Sequence, residues 1–387
     1  MAKKINVLAE LLKCALFETN IDDEVKQTIS ENASVVYSTA LRHDLAHLME
    51  HAVTKSAIEI SDEELSYNLL KQKAMSVMRY EDISNAQKQV SELFETEKIP
   101  FVLLKGAVIR NYYPEPWMRT SCDIDVLVHE CDFERAKKAA VEKLGFSYNG
   151  EMHYHDISLH SDTGVHVELH FNIKENMDNV DKLLEKVWEY ASPVKEGAYE
   201  HLLTNEFFMF QNVAHMSYHF VGGGCGIRSF VDLFLLEKSF PFDRKKLLYM
   251  LEETGIKTFY EASVRYAEVW FTEREHDEVT RLMHSYLLGG GAYGSKEKSL
   301  AIKMADKGKG SYFFRRIFMP YEQLIISYPE LKKRPYLAPL YQIKRWSKVF
   351  SAGKLSRSVK EVSTGNSITE QQTSNIMSLM EKLGLNI

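Results

Sequence analysis

From residue 1 to about 97, apolar positions recur at spacings of three and four. Ile5, Leu8, Leu11, Leu12, Ala15 and Leu16 form the stripe of an amphipathic helix. The segment LLKQKAMSVMRYEDISNAQKQVSELFETEKI keeps that period, and the first proline stands only at position 100, so nothing earlier breaks a helix. The texture changes at IPFVLLKGAVI, where Phe101–Leu104 reads as a short strand ending at Lys105-Gly106. DIDVLV reads as a second strand. CDFERAKKAAVEKLGF reads as an amphipathic helix with Asp132 near its start and Gly145 at its C-cap. MHYHDISLHS and VHVELHFNI alternate with a period of two around SDTG, the pattern of a hairpin.

The order β-α-β-α-β-β over residues 98–173 predicts a small mixed sheet with helices on one side, an α+β fold. The helical period returns near Val180, is strongest in EFFMFQNVAHMSYHF, and runs with breaks at VGGGCGIRS and LLGGGAYGSKEK to about Val349. A Ser/Thr-rich polar stretch and a weak apolar helix, IMSLMEKLGL, follow. The expected division is an N-terminal helical region at 1–97, a core at 98–178, a C-terminal helical domain at 179–349 and a polar tail at 350–387. A length of 387 residues agrees with more than one domain.

With 45% hydrophobic and 26% charged residues, the composition excludes a largely disordered chain. Glu10 and Lys13 interrupt the apolar stretch behind the N-terminal lysines, so that stretch does not read as a signal peptide. No apolar run is long enough to span a bilayer, and a cytoplasmic protein is expected. Cys14, Cys122, Cys131 and Cys225 form no C-x-x-C pair, which argues against a disulfide framework or a thiolate zinc site. The net charge of −6 hides a basic segment, 296–360, with sixteen Lys/Arg against four Asp/Glu. A solvated face docked on the acidic remainder is the plain explanation, and an anionic partner the alternative.

The chemistry concentrates in RTSCDIDVLVHE. Residues two apart on a strand share a face, so Asp123 and Asp125 point one way while Ile124, Val126 and Val128 enter the core. In the later strand His166, Glu168 and His170 face opposite to Val165, Val167, Leu169 and Phe171. Laid antiparallel or next-but-one in the same sheet, Glu168 would reach the two aspartates. Three crowded carboxylates repel one another, and a hard divalent cation removes that cost. A D-x-D pair alone is a weak signal. Together with a strand ending in Lys-Gly and a third acid in phase, it has the shape of a two-metal phosphoryl-transfer site.

These residues, FVLLKGAVIRNYY, RTSCDIDVLV and VHVELHF, resemble the nucleotidyltransferase superfamily of the DNA polymerase β type. They look most like its branch of uncharacterised bacterial nucleotidyltransferases, in which a Leu-Lys-Gly strand end precedes Arg-x-x-x-Asp-Ile-Asp. The resemblance covers residues 98–175 and continues loosely through HMSYH, GIRSFVDL and YPELKKRPYLAPLYQIKRW. It implies Mg²⁺, as two ions with Mn²⁺ as a substitute, held by Asp123, Asp125 and Glu168. Glu168 would also help deprotonate an acceptor hydroxyl. The alkoxide would attack the α-phosphorus of a nucleoside triphosphate and release pyrophosphate, the acceptor being a small molecule, a glycan, an RNA or a protein.

In the same resemblance Gly106 marks the turn whose backbone cradles phosphates. Many members have Gly-Ser there, and Lys105 is the candidate to replace the missing serine. Arg119 reads equally as a phosphate fork or a surface salt bridge. Arg228, with Asp232, follows a glycine run that admits either a nucleotide between domains or a simple helix-to-helix turn. His153, His155, His160, His166 and His170 crowd the hairpin, and His166 and His170 flank Glu168 as substrate-contact candidates. His215 and His219 stand one helical turn apart without the glutamate of an H-E-x-x-H motif, so packed histidines are expected. Two other functions compete: a metal-dependent phosphohydrolase built on the histidine hairpin with Asp123 and Asp156, and a nucleotide-binding or interaction protein without turnover. Replacing Asp123 or Asp125 by Asn should abolish transfer and, by relieving repulsion, stabilise the metal-free protein. The oligomeric state stays open.

Overall fold

The computed structural model describes residues 6–152, 155–292, 294–307, 318–351 and 369–385. At its centre is one mixed sheet. Its strands are β1 (Phe101–Leu103), β2 (Asp123–Val128), β3 (Ser147–Met152), β4 (Asp156–His160), β5 (His166–His170), β6 (Ala191–Pro193) and β7 (Glu200–Leu203), in the order β3-β4-β5-β2-β1-β7-β6. The pairs β2–β5 and β1–β7 are parallel and the others antiparallel.

β5 therefore lies beside β2 and parallel to it, not antiparallel or next-but-one. The cause is the helix Phe133–Leu144, which returns the chain to the end where β2 began. β3 then runs in the direction of β2, and two reversals bring β5 alongside in the same sense. The hairpin turn sits where SDTG places it, with Gly164 at φ 81°. β3, β6 and β7 were not legible as strands. SYNGEM carries no alternation of apolar residues, and β6 and β7 are too short for a period to register. The last two also extend the sheet past residue 178 into the stretch read as helical.

Helices cover both faces of the sheet, not one. On one face Phe101, Ile124, Val126, Val128, Ile157, Leu159, Val167 and Leu169 pack on Phe133, Ala136, Ala139 and Ala140 and on the long helix Glu63–Thr96. That helix joins two cores: Ile83, Ala86, Val90, Leu93 and Phe94 serve the sheet, while Leu65 and Leu69 serve the helical core. The helical core takes Val102, Leu104 and Leu127 from the other sheet face. It draws on the whole chain, from Leu8 to Leu385. Phe17, in the first helix (Val7–Phe17), lies 5.6 Å from both Phe234 and Phe271.

The final helix, Glu370–Lys382, starts at a capping box in which Thr369 and Gln372 satisfy each other's backbone N–H groups. It docks by burying Leu379, Met380 and Leu383, with Leu385 just beyond it. Of the basic segment, the helices Tyr321–Ser327 and Ala338–Ser351 share a small core of Leu324, Tyr328 and Leu331, while residues 308–317 and 352–368 lie outside the described residues. Gly223 and Gly224, at φ 129° and 106°, let the glycine run approach the backbone of Gly294 and Ser295 closely. Gly226 N donates to Ala292 O at 3.1 Å and Ser295 N to Gly223 O at 2.9 Å, which ties the glycine run to the segment 291–295. Among the described residues no helix is long and apolar enough to cross a membrane.

Candidate active site

The polar ends of β2 and β5, the turn after β1, and the helices Asn205–Val221 and Ile227–Ser239 enclose a cavity of about 690 Å³. Asp123, Asp125, Glu168, Lys105, Gly106, Arg119, His170 and Arg228 all line it.

The acids arrive there by strand phase. Parallel pairing sets Asp123 opposite His166 and Asp125 opposite Glu168, so three carboxylates share one face at one end of the sheet. Glu168 offers an oxygen within 4.8 Å of ligand atoms of Asp123 and His166, and likewise of Asp125 and His170. The two aspartates are not equivalent. Asp125 is buried, and its Oδ1 meets Lys105 Nζ at 2.9 Å and His170 Nε2 at 3.0 Å. Burial favours the neutral acid, yet the Lys105 charge and the His170 hydrogen bond hold its pKa well below the usual carboxylate range. Burial opposes a charge on His170, but hydrogen bonds with Asp125 and Glu168 carry its pKa up to about 9.

Asp123 sits in a different field. Burial, then the charges of Asp125 and Glu168, raise its pKa, and its nearest help is Ser121, whose Oγ lies 3.2 Å from Oδ1. A half-buried carboxylate raised by desolvation and like charges, beside oxygen and imidazole donors, is the environment a hard divalent cation relieves. The residues present therefore fit such an ion. A third crowded group, His155, Asp156 and His170, lies one strand over, with His155 Nε2 3.0 Å from Asp156 Oδ2. His166 stacks on His160 at 5.0 Å with Nδ1 3.9 Å from Glu168 Oε1, and His153 lies outside the described residues.

The turn after β1 is tight. Lys105 adopts φ 42°, and Gly106 opens a single helical turn, Gly106–Ile109. A Cβ at Gly106 would stand 2.7 Å from Arg119 Nη1 and 3.1 Å from Ser121 Oγ, so close approach of a side chain is what requires the glycine. Arg119 is not at the surface. Its Nε and Nη2 each donate to Asp232 at 2.9 Å, and Tyr113 donates its hydroxyl to the same carboxylate at 2.7 Å. The fork is thus spent inside the protein, which leaves Nη1 against the turn. Arg228 Nη1 donates to Asp44 Oδ2 at 2.6 Å and to Thr120 O at 3.0 Å, tying the N-terminal helices to the loop before β2.

A further cluster went unread as a site. Glu175, which carries no recognisable motif, is 7% exposed and meets His215 Nδ1 at 2.7 Å, and His215 Nε2 meets His219 Nε2 at 3.0 Å. Burial, then the His215 charge, lower the pKa of His219 to about 4. The i, i+4 spacing was the available signal, but it does not identify the carboxylate partner.

The chain matches a family model described as uncharacterised nucleotidyltransferase over residues 30–272. No curated protein and no solved structure gives a significant match.

Proposed function

This chain belongs to the uncharacterised nucleotidyltransferase family, and from that premise we propose that it transfers a nucleoside monophosphate from a nucleoside triphosphate to a hydroxyl acceptor. The reaction is dependent on Mg²⁺, with Mn²⁺ as a substitute, and releases pyrophosphate. The acceptor is a small molecule, a glycan, an RNA or a protein. The observation that carries this is the in-register pairing of Asp125 with Glu168 beside Asp123, which gathers three acids on one face at the cavity wall.

Asp123, Asp125 and Glu168 would hold the metal. When bound, the ion supplies neutralisation of the triphosphate and polarisation of its α-phosphorus. The rest is the work of the chain's own groups. Lys105 and His170 clamp Oδ1 of Asp125 and so fix the orientation of that carboxylate. Arg119 Nη1 lies against the turn at Gly106, with Asp232 holding the guanidinium in place, and the proposal puts the phosphates beside that pair. Lys105 compensates by charge for the serine absent from the turn. Preorganised donors of this kind act where charge develops, without reorganising during the reaction.

The test is pyrophosphate against phosphate release from ATP, CTP, GTP and UTP with Mg²⁺, alongside the melting temperature. A ligand that binds only the folded state raises it. Pyrophosphate release and a rise with Mg²⁺ and nucleotide together support transfer; neither occurring rejects it. One observation favours hydrolysis instead, the crowding of His155, Asp156 and His170. Phosphate release dependent on Asp156 would select it.

A further inference from the structure

Asn212, His215, Met216 and His219 recur at spacings of three and four on the helix Asn205–Val221 and line the same cavity as the three acids. The two histidines are not arranged as a metal cage. Each ring nitrogen of His215 has a different partner, Glu175 at 2.7 Å and His219 at 3.0 Å. Among the described residues, the groups able to converge on one ion do not include them. They form a chain running from a buried carboxylate to the cavity.

The direction of that chain follows from the inventory of donors. A carboxylate accepts, so His215 donates through Nδ1–H to Glu175. Nε2 of His215 is then an acceptor, and His219 donates to it through Nε2–H. This leaves Nδ1 of His219 with a free lone pair. Glu175 is itself anchored, its backbone N–H donating to Asp181 Oδ1 at 2.8 Å. The charges that act on His219 from outside its helix come from Glu175, from Lys105 on the turn and from Glu168 on β5. Lowered to about 4, the pKa leaves the His219 ring unprotonated at neutral pH; what would hold an arriving proton is the hydrogen-bonded chain through His215 to Glu175.

We propose that the chain Glu175–His215–His219 accepts the proton of the acceptor hydroxyl during nucleotidyl transfer. This rests on the transferase reading above and assigns the proton to groups other than the metal-holding acids. The acceptor oxygen bonds to the α-phosphorus, and the bond from that phosphorus to the pyrophosphate oxygen breaks. The hydroxyl proton passes to Nδ1 of His219, the Nε2 proton of His219 passes to Nε2 of His215, and the negative Glu175 balances the imidazolium so formed through its bond to Nδ1–H. The proton leaves to solvent with the products. A carboxylate that orients a histidine acting as a base is a recurrent catalytic device.

The experiment measures pyrophosphate release from the four nucleoside triphosphates with Mg²⁺, with water or glycerol as acceptor. It compares the full chain with His219→Ala, His215→Ala and Glu175→Gln, and measures nucleotide affinity in parallel. Expected are unchanged nucleotide affinity and a fall of about a hundredfold or more in release. Added imidazole should restore release in His219→Ala but not in Asp125→Asn. Full-rate release by His219→Ala overturns the relay alone. So does a loss that imidazole fails to restore, or one that tracks weakened nucleotide binding. If the unaltered chain releases no pyrophosphate, the transferase reading falls and the relay with it.

Discussion

Nζ of Lys105 lies 2.9 Å from Oδ1 of Asp125, the same oxygen that His170 approaches to 3.0 Å. The neighbouring Asp123 has no cation at ion-pair distance among the described contacts: Lys105 acts on it from farther off, and the Ser121 hydroxyl lies 3.2 Å from its Oδ1. Two aspartates one residue apart thus live in opposite electrostatic environments, and substitutions at the two positions should behave differently.

Asp125→Asn leaves a buried ammonium and a buried imidazole without their shared anion. It should cost about 3–5 kcal/mol of stability, the usual consequence of removing one partner of a buried pair. Asp123→Asn removes a carboxylate that burial and two like charges disfavour, and should be neutral or stabilising without metal. Both should abolish transfer. Urea denaturation in the presence of a chelator measures the contrast, and a more stable Asp125→Asn would contradict it. The sequence-based expectation of relief at both positions is corrected here for Asp125.

Arg119→Lys replaces a planar fork by a point charge that cannot serve both oxygens of Asp232. A loss of about 1–3 kcal/mol is expected from the lost hydrogen bonds, together with a raised KM for the nucleoside triphosphate. A stable variant with unaltered KM would separate Arg119 from the phosphate site.

Gly106→Ala places a methyl group where the Arg119 guanidinium rests. Because Asp232 fixes that guanidinium, it cannot swing away freely, and the overpacking should cost about 1–3 kcal/mol. The double variant Gly106→Ala with Arg119→Ala should recover part of that loss. A thermodynamic cycle in urea reads the coupling directly.

Stability of the metal-free protein should peak near neutral pH. Burial, then Arg42 and Lys298, lower His43 from 6.5 to about 4, and the backbone N–H of Ile227 donates to its Nδ1 at 3.4 Å. Between those values the unfolded chain binds the proton that folded His43 refuses, so stability falls as pH drops from 6.5 to 4. The loss is about 2–3 kcal/mol. His170 works in the opposite direction: its contribution is complete below 6.5 and is lost as pH rises through about 9. Melting temperatures from pH 4 to 10 with chelator test the dome, and His170→Gln should flatten its alkaline side alone.

Leu383, fully buried after the last helix, should cost about 2–5 kcal/mol when cut to Ala. A tail that merely trails from the domain would show no change in the same melt.

The central sheet was legible where strands alternate or carry charges in phase: DIDVLV and VHVELHF show which side chains face inward, and the SDTG turn shows how β4 meets β5. Parallel pairing was not legible, because it depends on where the Phe133–Leu144 helix delivers the chain. Partners that come from afar were hidden for the same reason. Nothing local to Arg119 reveals Asp232, and nothing local to His215 reveals Glu175. The end of the chain was legible as an element but not in its partners. The apolar helix IMSLMEKLGL was read there, but not that its Leu379, Met380, Leu383 and Leu385 complete a core built mostly elsewhere.

Phe17 finds its aromatic neighbours, Phe234 and Phe271, more than two hundred positions downstream. During synthesis on the ribosome most of the first helix's apolar side can pack early against the helix Ala46–Lys55, while the Phe17 ring waits until most of the polypeptide has followed. Contacts this remote in sequence slow folding, and a product cut short before Phe234 would leave the Phe17 ring exposed as a site for capture by chaperones or for clumping.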